Sequence, residues 1–141
     1  MIKSWSPSKA EVVGLLEQFD IIPTQQRVEI AQVLFARPQH LAAEQVLTMV
    51  NQDENIASKA TVYNTLGLFA SKGLIREVIV DPTRIFYDPN TNEHHHFYNV
   101  DTGSLMDIEG DQVTVANFPR PPEGTVTEAV DVIVRVRNSS A

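Results

Sequence analysis

The sequence predicts an α+β fold with a helical first half and a strand-rich second half. Apolar residues recur at helical spacing in four segments before residue 73, and two β-rich runs follow them around a Pro-containing turn. Beyond residue 96, short β-rich runs take over, and the last of them alternates strictly, which is the period of a half-buried strand. This switch from helical to strand periodicity separates a predicted domain at residues 1–88 from a second predicted domain at residues 89–141. The polar run DPNTN is the predicted linker.

Each of the four predicted helices has a recognisable start or stop. Ser8 opens a capping-box sequence at the start of the first helix. The second is predicted over Gln25–Phe35 and the third over Ala42–Asn51. Ser58 is a typical cap for the fourth helix, and Gly73 ends it.

A β-hairpin is predicted directly after the fourth helix. The runs LIREVIV (74–80) and RIFYD (84–88) flank the turn Asp81-Pro82-Thr83. Several short helices followed by a hairpin is the order of a winged helix-turn-helix, in which the last helix can lie in the DNA major groove. The first domain is therefore predicted to be of this kind.

The second domain reads as strands with one short helix. FYNV (97–100) and SLMDI (104–108) flank a turn signal. The run VDVIVRVR (130–137) alternates strictly and places four valines on one face. A short helix is predicted near Asp111–Asn117.

Composition restricts the possible classes of protein. No apolar run approaches about 18 residues and the N-terminus lacks a secretion pattern, so we expect a cytoplasmic protein with no membrane partner. Because the chain has no cysteine, disulfides and thiolate zinc sites are excluded, and any metal must be held by His, Asp and Glu. The net charge is −7, which argues mildly against nucleic acid, but residues 81–141 carry −6 of it.

Five segments resemble the ferric uptake regulator family: PTQQR (23–27), HLAAEQV (40–46), ATVYNTLGLF (60–69), GLI (73–75) and the triplet HHH (94–96). Within that family the chain most resembles the iron response regulator branch, in the YNTL of the fourth helix, the spacing from FYD to the triplet and the aromatic pair after the triplet. The resemblance implies a homodimeric, metal-sensing transcription repressor and not an enzyme. It also implies an N-terminal winged helix and a C-terminal α/β dimerisation domain.

The resemblance implies a regulatory metal site at four positions: His40, Asp88, His96 and Asp107. A mixed imidazole and carboxylate set suits Fe²⁺ or Mn²⁺, and also Zn²⁺. An ion shared between the two predicted domains would fix their relative orientation and so couple metal binding to DNA binding. The alternative for the triplet is a polar loop, and for each aspartate a solvated surface carboxylate.

The remaining histidines point to a second metal site or to haem. His95 matches a ligand of a further family site, but Phe97 stands where that site has an aspartate. His94 and His96 match the HxH element through which the iron response regulator branch is associated with haem. The family's structural zinc, held by four cysteines, is excluded.

The predicted DNA contacts are polar residues of the fourth helix and two arginines of the hairpin: Ser58, Lys59, Thr61, Tyr63, Asn64, Arg76 and Arg84. Asn64 can read adenine and Tyr63 can pack on a thymine methyl, which predicts an A/T-rich palindromic operator on double-stranded DNA. The alternative is an ordinary amphipathic helix with a solvated polar face.

The leading hypothesis is a metal-responsive regulator of iron or manganese homeostasis, or of a haem- or peroxide-linked response. A second hypothesis is a regulator that responds to haem or to a partner protein and whose metal site is vestigial. A small metal-dependent hydrolase is the third, and it lacks support because no HExxH or nucleophile motif is present.

Overall fold

A computed structural model describes residues 5–140 and divides the chain into two compact units, Met1–Thr91 and Asn92–Ala141. The N-terminal unit contains, in chain order, α1 (Lys9–Gln18), α2 (Gln25–Leu34), β1 (Leu41–Ala42), α3 (Ala43–Val50), α4 (Lys59–Ser71), β2 (Arg76–Asp81) and β3 (Arg84–Asp88). The C-terminal unit contains β4 (His95–Asn99), β5 (Leu105–Ile108), a single 3-10 turn (Gly110–Gln112) and β6 (Ile133–Val136). Within residues 5–140, no helix is both long and apolar enough to cross a membrane.

The observed bounds of α2 and α3 lie within one residue of the predicted bounds, and the predicted helix signals at Ser8 and Gly73 are present. The hydroxyl of Ser8 accepts the Glu11 N–H at 3.1 Å, and the Glu11 carboxylate accepts the Ser8 N–H at 3.0 Å, which completes the capping box. These hydrogen bonds, to the Ser8 backbone first, hold the pKa of Glu11 below its ordinary value of 4.5. Gly73 ends α4 with φ +80, a conformation that a side chain would strain.

The core of the N-terminal unit lies between the four helices and the sheet. Helix α4 contributes four buried side chains to it: Val62, Thr65, Leu66 and Phe69. Burying a side chain such as Phe69 contributes about 1.5–3 kcal/mol. The burial fixes the rotation of α4, so that Lys59, Tyr63 and Asn64 lie on its exposed side.

The two-residue strand β1 was not predicted, because it is too short to show a period. It pairs antiparallel with β3, so the N-terminal sheet has the order β1-β3-β2. Leu41 is opposite Tyr87 in this pairing. One further step along the antiparallel register places His40 beside Asp88.

The C-terminal sheet has β4 in its centre, antiparallel to β5 and parallel to β6. β4 begins two residues before the predicted start at Phe97, because His95 and His96 also pair with β5. β6 is shorter than the predicted run 130–137.

The helix predicted near Asp111–Asn117 was wrong. The chain forms only the 3-10 turn Gly110–Gln112 there and continues without regular structure. Residues 113–115 are Val-Thr-Val, and β-branched side chains lose rotamer freedom in a helix. A helix of about two turns cannot offset that cost without strong packing, and Val115 is exposed.

Candidate metal centre and nucleic-acid interface

The N-terminal unit holds the first two predicted metal ligands in contact. Nε2 of His40 lies 3.2 Å from Oδ2 of Asp88, whose side chain is only 3% exposed. The other carboxylate oxygen of Asp88 accepts the backbone N–H of Asn90 at 2.9 Å. That hydrogen bond fixes the carboxylate, and a buried carboxylate is stable only when it is paired in this way.

The C-terminal unit holds a second cluster around Asp107. Asp107 is the register partner of His96, and its Oδ1 lies 3.3 Å from Nε2 of that imidazole. Nε2 of His94 lies 3.5 Å from the same oxygen. One donor atom from each of the three side chains falls within 4.8 Å of the others, and both imidazoles are buried.

His94 is oriented by the chain that precedes it. Its Nδ1 lies 2.6 Å from the carbonyl oxygen of Asn92. A carbonyl oxygen can only accept, so Nδ1 carries a proton, and in the neutral ring Nε2 is left with the lone pair that binds a metal. A backbone carbonyl behind the imidazole is the usual outer partner of a metal-binding histidine. Sequence reasoning associated His94 with haem or a second site and did not place it beside Asp107, although His94 and His96 are two residues apart at the start of a strand.

His95 lies on the opposite face of β4, as alternation predicts. Its Nδ1 accepts the backbone N–H of Val132 at 3.1 Å, which links β4 to the segment before β6. That lone pair is therefore not free for a metal. Phe97 lies on the same face as His95 and supplies no ligand.

The rings of His94 and His96 meet edge to face with their centroids 4.6 Å apart. They share one side of the strand, as the HxH interpretation requires. Both nevertheless contact the carboxylate of Asp107. A carboxylate beside two imidazoles is the donor set of a divalent cation rather than of a haem iron.

Two of the predicted DNA contacts are engaged in capping α4. The Ser58 hydroxyl accepts the Thr61 N–H at 3.1 Å and lies 3.0 Å from the Thr61 hydroxyl. These side chains stabilise the start of the helix. The exposed side of α4 is left with Lys59, Tyr63 and Asn64 as groups for a partner.

Sequence reasoning missed Glu44, in the first turn of α3. The Tyr63 hydroxyl donates to Oε1 of Glu44 at 2.8 Å, and Nζ of Lys59 lies 3.6 Å from the same oxygen. The hydrogen bond to Glu44, followed by partial desolvation, raises the pKa of Tyr63 above its ordinary value. No signal in the sequence links Glu44 to α4, because the contact depends on how the two helices pack.

The two hairpin arginines lie at opposite ends of it. Arg84 begins β3 next to the turn, and its guanidinium lies 5.3 Å from the centre of the Phe86 ring. Arg76 begins β2 opposite Asp88, at the end of the hairpin far from the turn. Arg84 is therefore presented at the tip and Arg76 at the base.

Comparison with known proteins identifies relatives of this chain. A sequence model of the ferric uptake regulator family matches residues 20–128. The peroxide-responsive repressor PerR of Staphylococcus aureus is 28% identical over 112 residues, which cover 79% of this chain and 76% of the repressor.

Solved structures show the same fold. The ferric uptake regulator of Pseudomonas aeruginosa with manganese superposes with a TM-score of 0.68 at 23% identity, covering 89% of this chain and 96% of that one. The ferric uptake regulator of Francisella tularensis with iron gives a TM-score of 0.68 at 22% identity, covering 86% and 95%. These likenesses confirm the predicted α+β fold class.

Proposed function

Because the chain belongs to the ferric uptake regulator family, we propose that it is a homodimeric repressor whose affinity for operator DNA is set by a divalent metal ion. Members of this family are DNA-binding transcription regulators, which confirms the prediction that the chain is not an enzyme. Residues 1–88 would be the winged-helix DNA-binding domain and residues 89–141 the dimerisation and metal-sensing domain. A DNA partner of this kind implies a cytoplasmic location.

The carboxylate of Asp107 beside two buried imidazoles is the observation that carries the metal proposal. Within the described residues, this cluster offers three donors and the His40–Asp88 pair offers two. Divalent transition metals take four to six ligands, so neither set fills a coordination sphere without further ligands. We propose that His40, Asp88, His96 and Asp107 ligate one ion, with His94 available as a fifth ligand. The bound cation would compensate the two carboxylates and restrict the relative orientation of the two units.

Fe²⁺ or Mn²⁺ is the proposed ion, with Zn²⁺ possible on the same ligands, because the donor set mixes imidazole nitrogen with carboxylate oxygen and contains no thiolate. Support comes from the relatives, since the P. aeruginosa regulator was solved with manganese and the F. tularensis regulator with iron. The proposed response is iron or manganese homeostasis, or peroxide, as the name of the S. aureus repressor suggests. Membership of the iron response regulator branch stays a prediction.

The N-terminal ligands connect to the DNA-binding helix through continuous structure. His40 leads directly into β1, and β1 into α3 without an intervening loop. Glu44 of α3 accepts a hydrogen bond from the Tyr63 hydroxyl of α4. A change in the position of His40 would therefore be passed through two elements to the exposed side of α4.

A row of apolar side chains on the C-terminal sheet supports the homodimer. Met106, Phe97 and Val134 are register neighbours on adjacent strands and point to one face. Met106 is 63% exposed and the other two are 38% exposed. An apolar row of this kind is favoured at the centre of a subunit interface, where a second copy would remove it from water.

Haem remains the alternative effector, through His94 and His96. The two imidazoles share a face of the strand, as the HxH interpretation requires, but their contact with Asp107 favours a divalent cation over haem iron. A haem titration of wild type and His94→Ala, followed at the Soret band, tests it. An identical spectrum for both proteins would remove this alternative.

A gel-shift titration tests the metal proposal. We expect Mn²⁺ or Fe²⁺ to change the affinity of the wild type for an A/T-rich palindromic duplex at least tenfold relative to chelator, which is about 1.4 kcal/mol. His96→Ala should lose that response. His95→Asn is the matched control, because it alters the neighbouring imidazole on the other face and keeps an acceptor for Val132. Equal binding with metal and with chelator would refute the metal switch.

A further inference from the structure

We propose that Glu44 determines base specificity, because its carboxylate accepts the hydrogen bond that the Tyr63 hydroxyl donates and so leaves the phenolic oxygen able only to accept a hydrogen bond from DNA. The inference rests on the proposed function, in which α4 enters the major groove. Glu44 lies within the segment HLAAEQV that contributes to the family resemblance, but it is not among the metal ligands that the resemblance implies or among the predicted DNA contacts.

The geometry is a compact set of three exposed side chains, Glu44, Lys59 and Tyr63, here called the Glu44 cluster. The phenolic oxygen lies 2.8 Å from Oε1 of Glu44. Nζ of Lys59 lies 3.6 Å from the same oxygen and 5.8 Å from the centre of the Tyr63 ring. Lys59 and Tyr63 are four residues apart on α4, so they lie on one side of the helix.

The chemistry fixes the direction of the hydrogen bond. An ionised carboxylate can only accept, so the phenol must be the donor. A tyrosine hydroxyl has one proton, and once that proton is committed to Glu44 the oxygen offers lone pairs alone. The 41% exposure of Tyr63 leaves the residue within reach of a ligand.

The major groove presents few donors to such an oxygen. Adenine offers its N6 amino group and cytosine its N4 amino group, whereas guanine and thymine present acceptors and, on thymine, a methyl group. The acceptor-only hydroxyl of Tyr63 therefore favours adenine or cytosine at the base it contacts and disfavours guanine and thymine there, where two acceptors would face each other. The thymine methyl expected to pack on the Tyr63 ring belongs to a different base, and Tyr63→Phe would keep that packing. Without Glu44 the same hydroxyl could turn and donate, so the discrimination would disappear.

Glu44 has a second effect through its charge. Its carboxylate lies against Lys59 and would repel the phosphates of any DNA beside α4. The residue therefore lowers affinity for all sequences while it sharpens the choice among them. Removal of the Glu44 carboxylate should raise the affinity for all DNA sequences and lower the discrimination among bases. Removal of a simple phosphate contact would instead lower the affinity for all sequences.

Selection from a random-sequence duplex library in the presence of Mn²⁺ tests the inference. We expect the wild type to enrich adenine or cytosine over guanine and thymine at one position per half-site by roughly two- to tenfold, the range of a single hydrogen bond. Tyr63→Phe should lose that enrichment and so identify the position. Glu44→Ala should lose it at the same position, and the double variant should lose no more than either single variant, because the two side chains act as a unit.

Affinity for random DNA provides the second measurement. Glu44→Ala should bind it severalfold more tightly than wild type, whereas Tyr63→Phe should not. Glu17→Ala is the matched control, since Glu17 is an exposed carboxylate on α1 and its removal changes the net charge equally. Far-UV circular dichroism should be unchanged in all variants, because the altered side chains are exposed.

Three results would overturn the inference. The first is a Glu44→Ala variant that keeps the wild-type base preference while Tyr63→Phe loses it. The second is a wild-type preference for guanine or thymine at the Tyr63-dependent position. A wild type that enriches no sequence at all would instead refute the proposed DNA-binding function, and the inference would fail with it.

Discussion

His96 and Asp107 are register partners on neighbouring strands, and Nε2 of the imidazole lies 3.3 Å from Oδ1 of the carboxylate. Main-chain pairing of the sheet thus fixes both groups before any ligand arrives. A site built on regular strands is held more rigidly than one built on loops.

Replacing Asp107 by asparagine should weaken Mn²⁺ binding at least tenfold, or about 1.4 kcal/mol. The amide occupies the same volume but is neutral and a poorer ligand for a divalent cation. Isothermal titration calorimetry gives the affinity directly. Asp53→Asn, in the exposed loop after α3, is the control for the lost charge. An unchanged dissociation constant for Asp107→Asn would remove this carboxylate from the proposed site.

Arg84→Gln should weaken DNA binding about equally for specific and random sequences. Arg84 is exposed beside the hairpin turn, where a guanidinium would contact phosphates rather than bases. Each lost phosphate contact reduces the slope of log K against log salt by about 1. Fluorescence anisotropy over a salt series measures that slope, with the exposed Arg37→Gln as the control. A slope equal to that of wild type would show that Arg84 does not contact the backbone.

Met106→Lys should convert the proposed dimer to a monomer. The substitution places a charge at one end of the apolar row, next to Phe97, where burial of a charge without a partner is costly. Sedimentation velocity reports the mass at several protein concentrations. Val126→Lys is the matched control, because Val126 is 88% exposed and lies in a loop outside the strands. If Met106→Lys remained dimeric, the interface would have to lie on another surface.

The capping box predicts a specific pH dependence. The folded-state pKa of Glu11 is lowered from 4.5, so its contribution to the free energy of unfolding is present above pH 4.5 and is lost as pH falls through the lowered pKa. Glu11→Gln should therefore be less stable than wild type at neutral pH and should approach it in acid. Urea unfolding at several pH values measures the difference. Glu17→Gln alters an exposed carboxylate on the same helix but outside the capping box, and it should show no such convergence.

Local sequence signals predict the N-terminal unit well because each of its helices carries its own boundary. Ser8 and Ser58 begin helices and Gly73 ends one, and these residues act on their immediate neighbours. The two-residue strand β1 and the contact between Glu44 and Tyr63 are different, because both depend on packing between distant segments. The sequence therefore indicates which residues lie on the exposed side of α4, but not the acidic side chain that orients them.

In the C-terminal unit too, local sequence signals do not predict features that depend on pairing with distant segments. Alternation in the sequence predicts which residues of β6 share a face. The length of β6 depends on how many of its residues pair with β4. The incorrect helix near Asp111–Asn117 arose where periodicity was weak and β-branched residues were dense. For the site, the four predicted ligands came from the resemblance, while the position of His94 beside Asp107 required the strand register.

The parallel pairing of β4 with β6 affects how the protein is made. His96 is opposite Ile133, so its strand is flanked on both sides only after residue 133 has been synthesised. Contacts this distant in sequence form slowly, and until they form an edge of β4 remains open to other strands. The N-terminal unit precedes β6 in the chain and can fold first. The chain would therefore acquire its N-terminal helices before its imidazole cluster, and loss of the residues that form β6 would leave a folded N-terminal unit with an incomplete C-terminal sheet.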